Sequence, residues 1–151
     1  MPEVISFHLD EPAETELAFH LQARALEIKE RIYRPCLYRS IHGRKHLIEH
    51  IAMAPLVQLH ASTCMKLTHH WDVRHRHHGT WLMVRQSFTS SLLLLAAQRS
   101  DLLENVKEEC EQSVQRTLST LRFWEGEAPD LKASRLILED VHRHTRDWNR
   151  P

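Results

Sequence analysis

Hydrophobic positions follow a helical period along almost the whole chain. Leu17, Leu21, Ala25, Ile28 and Ile32 recur every three or four residues, which predicts a first helix after Asp10 and Pro12, a pair that resembles a helix start. Pro35 is expected to kink or restart this helix, Leu37, Tyr38 and Ile41 to continue its apolar face, and Gly43 to stop it. A further helical stretch from Arg44 runs into Pro55, which is expected to open a new helix carrying Leu56, Leu59, Thr63 and Leu67.

The segment WDVRHRHHG, Trp71 to Gly79, breaks the period with charge, imidazole and glycine and reads as a loop. Thr80 can cap the helix that follows, WLMVRQSFTSSLLLLAAQ, which is apolar nearly all round from Leu92 to Ala97 and should therefore be buried on several sides. Ser100 or Asp101 is expected to cap the next helix, with its stripe of Leu103, Val106, Cys110, Val114, Thr117, Leu121 and Trp124. After the turn EGEAPD, the last helix steps through Leu131, Ser134, Leu138, Val141, Thr145 and Trp148. Strand-like alternation is confined to Val4 to Leu9, too short to matter. The prediction is an all-α fold, an orthogonal bundle of about five to seven helices around a central apolar helix at about 80–98. One helical domain spans 1–151, with an extended or flexible N-terminus over 1–10.

Composition narrows the function classes. A chain of 151 residues can bury a core without staples, and its three glycines and six prolines punctuate helices instead of filling linkers. Twenty basic and twenty acidic residues cancel, so no general attraction to phosphate backbones or anionic membranes is expected. The three cysteines form no CxxC pair, which suggests a reducing compartment. The N-terminus lacks the basic start and apolar core of a signal peptide. The most apolar stretch, Trp81 to Ala97, is interrupted by Arg85, Gln86 and Ser87. A soluble, intracellular chain that neither enters nor crosses a membrane is expected.

Three runs carry a resemblance. IYRPCLYRSIH (Ile32 to His42), RHRHHGTWLMVRQSFTSSLLLLAA (Arg74 to Ala97) and FWEGEAPDLKASRLILEDV (Phe123 to Val141) resemble the C-terminal part of the regulatory (middle homology) domain of fungal zinc-cluster transcription factors. The resemblance implies an all-helical domain that receives regulatory or effector signals. It does not extend to DNA reading, because the binuclear cluster needs six closely spaced cysteines and this chain has three scattered ones. The expected function is a regulatory or ligand-receiving helical domain without a DNA-binding module, nuclear if part of a transcription factor and otherwise cytoplasmic. The alternative is a small stand-alone enzyme or small-molecule-binding protein of specialised metabolism on the same scaffold.

Thirteen histidines direct the search for a site. His42, His46 and His50 are spaced by four and could chelate a metal on one helix face, but Gly43 breaks that face, so no metal and no cofactor is expected. His75, His77 and His78 sit with Arg74 and Arg76 just before a helix N-terminus, an environment that favours an anion. The candidate ligand set is His75, His77, His78, Trp81 and Arg85, with His77, His78 and Arg85 catalytic if the chain is an enzyme. The competing structural reading gives Gly79 a tight turn and Trp81 a place in the core. His69, His70, His142 and His144 read as surface residues, and Tyr33 and Tyr38 with Arg34 and Arg39 as a helix corner. Cys36 and Cys64 lie in apolar runs that should raise their thiol pKa. The expected partners are a small-molecule ligand and a protein, most simply a second copy in a homodimer with Trp124 or Trp148 near the interface.

Overall fold

Five helices account for almost all of the described chain: α1 (Glu16–His42), α2 (Leu47–His70), α3 (Thr80–Gln98), α4 (Lys107–Trp124) and α5 (Pro129–Trp148). The computed structural model describes residues 13, 15–43, 47–70, 76, 79–98, 103 and 106–148, without the side chains of 47–50 and 148. No strand occurs among the described residues, so the fold is all-α. None of the helices there is long and apolar enough to cross a membrane. The predicted starts at Asp10 and at Ser100 or Asp101 lie outside the described residues.

α2 is longer than its proline predicts, while α1 reaches Gly43 without a restart at Pro35. α1 runs unbroken through Pro35 for 27 residues, about 40 Å, and α2 runs through Pro55. Both prolines are exposed, as are Arg31 and Ile51 one turn earlier, whose carbonyls lose an amide partner on the solvent side. Tyr33, Arg34, Tyr38 and Arg39 therefore belong to one continuous helix and mark no corner. Thr15 caps α1, its hydroxyl accepting from the Ala18 amide at 3.1 Å. Gly43 ends the helix as predicted, its amide donating to the Arg39 carbonyl. A side chain there would collide with that same carbonyl, which is why glycine serves.

The face that α1 buries differs from the expected one. Ala18, Gln22, Ala23, Leu26, Glu27, Glu30 and Leu37 turn inward. Of the expected stripe, Leu17, Ile28 and Ile32 face outward, the latter two 60% and 63% exposed against 2% for Leu26. The inward face carries small residues, and its Glu30 carboxylate finds His60 on α2, the helix that α1 packs against most extensively.

α2 and α3 share the centre. α2 packs on α1, α3 and α4, and α3 on α2, α4 and α5. One apolar cluster joins Leu37, Val57, Ala61, Cys64, Leu94, Ala97, Leu103 and Cys110. A second joins Val84, Leu95, Val114, Leu118, Leu121, Trp124, Leu131 and Leu138. The predicted stripes of α4 and α5 supply most of the second cluster, so their faces are as read. Trp124, expected near an interface, is instead a core residue at 4% exposure. The Trp148 side chain lies outside the described residues.

Candidate functional site

Of the ligand set read from sequence, Trp81 and Arg85 lie within the described residues. His75, His77 and His78 lie outside the described residues, as do His46 and the side chain of His50. Trp81, half-buried at the start of α3, meets Trp124 edge to face at 5.5 Å and packs on the second core cluster. Arg76 lies over the Trp81 ring at 5.7 Å. Arg85 donates to the Asp130 carboxylate at 2.8 Å across half-exposed surface, pinning α3 to the first turn of α5. Trp81 and Arg85 thus fasten helices, and neither borders the cavities that open on either side of α1.

The larger cavity, about 690 Å³, opens between α1, α2 and α4. Its size falls within the range of small-molecule sites. Phe19, Leu26 and Met65 give it apolar wall, and Lys66, Arg116 and Glu109 are the charged residues that line it among those described. His70, expected at the surface, is half-buried here. Its ring stacks on Phe19 at 4.0 Å, and its Nε2–H donates to the Phe19 carbonyl at 3.0 Å. Burial lowers its pKa below the ordinary histidine value, His69 and His20 add to this, and the Phe19 carbonyl only partly opposes it. A neutral ring that donates through Nε2 keeps Nδ1 as an acceptor.

A smaller cavity of about 570 Å³ lies between α1 and α3, walled by Pro35, Leu37, Ile41 and Leu93 with Arg31 and Arg34 at its edge. Arg34 also holds both oxygens of Glu30, through Nε at 2.8 Å and Nη2 at 2.7 Å.

Behind Arg34 lies a buried polar cluster that the sequence did not announce. His60 Nε2 donates to Glu30 Oε1 at 3.0 Å, and Cys64 Sγ sits 3.8 Å from the same nitrogen and 4.0 Å from Nδ1. Burial raises the Glu30 pKa, but the hydrogen bonds from His60 and Arg34 and the Arg34 charge outweigh it and hold the carboxyl at about 2. Burial drives the Cys64 thiol far above its ordinary range, Glu30 adds to the effect, and Arg34 and the Ser90 hydrogen bond only moderate it. Such a thiol, fully enclosed, is no nucleophile, so the row of Cys, His and Glu is not a catalytic relay. Burial likewise pushes the Cys110 thiol up to about 11, against a hydrogen bond from Gln98. The one local sign in the sequence is His60 followed four residues later by Cys64 on a helix.

His142, also read as a surface residue, is buried and bonds Glu111 at 2.7 Å, linking α5 to α4. His69 and His144 are exposed as expected.

No known protein family, curated protein or solved structure matches this chain.

Proposed function

We propose that this chain is a ligand-receiving, regulatory helical domain whose receiving site is the cavity between α1, α2 and α4. The observation that carries the reading is that cavity: about 690 Å³, with apolar wall from Phe19, Leu26 and Met65 and with Lys66 and Arg116 in its lining. A planar, largely apolar molecule bearing one anionic group matches it, the rings lying against Phe19 and Met65 and the anion toward Lys66 or Arg116. The resemblance of the runs at 32–42, 74–97 and 123–141 to the fungal transcription-factor regulatory domain supports the regulatory half of the reading. An intracellular address goes with it, nuclear where the domain serves a transcription factor. The enzyme alternative gains no support from the cysteines, since Cys64 and Cys110 are both enclosed.

The test is binding of anilinonaphthalene sulfonate, a planar apolar anion. One saturable site per chain is expected, weakened roughly tenfold, about 1.4 kcal/mol, by Arg116→Glu. Dye uptake that never saturates, or that ignores the charge reversal, would count against this cavity.

The outward apolar stripe of α1 favours a second element of the reading, self-association. Leu17, Ile28 and Ile32 present more exposed apolar surface on one face than scattered single residues would. We place the homodimer contact there.

A further inference from the structure

We propose that Glu30, His60 and Cys64 form a transition-metal site of the zinc type in the core between α1 and α2. Their donor atoms, one carboxylate oxygen, one imidazole nitrogen and one sulfur, all lie within 4.8 Å of one another, and all three residues are buried. Glu30 Oε1 and Cys64 Sγ approach the same atom, His60 Nε2, at 3.0 and 3.8 Å. Donors on a tetrahedral ion with bonds of about 2.0 Å to oxygen and nitrogen and about 2.3 Å to sulfur stand about 3.3 to 3.6 Å apart. Both measured separations are within half an ångström of that, and the third, between the Glu30 oxygen and the Cys64 sulfur, is within 4.8 Å, so ion binding would draw those two donors together.

Hydrogen bonds account for the Glu30 carboxylate and the His60 ring, which satisfy each other with help from Arg34, but a thiol at 3.8 to 4.0 Å from an imidazole gains little. A dication that joins all three would tie the enclosed sulfur into the set.

The surroundings suit such an ion. Arg34 fixes the orientation of the Glu30 carboxylate from outside, as partners of metal-bound carboxylates do. Thiolate and carboxylate together cancel the charge of a divalent ion. The donor types select a borderline-soft metal such as Zn²⁺ or Co²⁺ over Mg²⁺ or Ca²⁺, which take oxygen alone. The Ser90 hydroxyl is buried and hydrogen-bonded to Cys64, and it or a water would fill the fourth coordination position. On binding, the S–H bond of Cys64 breaks as the sulfur–metal bond forms and the proton leaves to solvent. The His60 proton moves from Nε2 to Nδ1 so that Nε2 can ligate. No electron is transferred.

This site is separate from the cavity of the proposed function and is tested separately, on the full chain. Cobalt titration of the wild type, prepared with reductant and no chelator, should give one equivalent bound with an intense thiolate-to-cobalt absorption. Zinc should displace it and raise the melting temperature. Cys64→Ser should lose the thiolate absorption while keeping its helical circular dichroism, and zinc should no longer shift its melting. Wild-type protein that is folded yet takes up no cobalt overturns the site. So does cobalt uptake without the thiolate absorption, as surface imidazoles would give, or an absorption that survives Cys64→Ser.

Discussion

At His70 burial disfavours the imidazolium more than the Phe19 carbonyl favours it, and the folded pKa falls below the ordinary 6.5. As pH drops through 6.5 the unfolded chain takes up this proton first, so stability is lost from about 6.5 downward until the folded ring also titrates. Glu111 works at lower pH. Burial raises its pKa but the His142 hydrogen bond outweighs this, so its contribution is present above 4.5 and lost as pH falls through the lower folded value. Urea midpoints measured from pH 7.5 to 5 should therefore decline less in His70→Gln than in wild type; parallel declines would show that the ring is not selectively neutral. The tryptophans divide similarly by burial. Trp124→Ala should cost about 3 to 5 kcal/mol in urea unfolding, the range for large buried aromatics, and Trp81→Ala less because its ring is only partly buried. The two rings look alike in sequence, since each lies in an apolar run beside a turn. Only the packing of α5 over Trp124 separates them, and that is a long-range fact. The same limit hid the polar cluster: Glu30 and His60 are thirty residues apart, and Glu30 looks like any surface glutamate until α2 is laid against it.

Among the elements, α3, α4 and α5 were legible because each carries one dominant apolar stripe, or is apolar all round, and the buried face follows from the period. α1 offered two competing faces. Leu17, Leu21, Ala25, Ile28 and Ile32 form the more hydrophobic one, whereas the face that packs mixes Ala18, Ala23, Leu26 and Leu37 with Gln22, Glu27 and Glu30. Periodicity weighs hydrophobicity and cannot see that Glu30 has His60 and Arg34 waiting for it. Pro55 misled for a related reason: on a solvent-facing side, the freed carbonyl can bond to water and the helix continues. The face assignment is open to direct measurement. Measured at concentrations low enough to keep the chain monomeric, Leu26→Ala should destabilise by about 2 to 5 kcal/mol, while Ile28→Ala, two residues on, should stay within about 0.5 kcal/mol. Equal costs would mean that α1 is rotated about its axis, with Ile28 turned toward α2.

For the molecule as a whole, the inverted face of α1 decides where a second copy would sit. Net charge is zero, so nothing global opposes association. The outward stripe ends in unlike charges, with exposed Glu16 at its start and Arg39 and His42 at its finish. Two copies related by a two-fold axis and packed antiparallel along α1 would bring Ile28 and Ile32 of each against the same residues of the other, and the acidic start of one helix toward the basic end of its partner. A parallel pairing would set like charges together. The prediction is a dimer of the 17.9 kDa chain in sedimentation at micromolar concentration. The double variant Ile28→Glu with Ile32→Glu should sediment as a folded monomer, since both side chains are exposed and their loss removes no core packing. Wild-type protein that stays monomeric sinks the dimer. A dimer untouched by the double variant moves the contact elsewhere, with Phe123, Leu136 and Ile137 on α4 and α5 the other exposed apolar group to mutate.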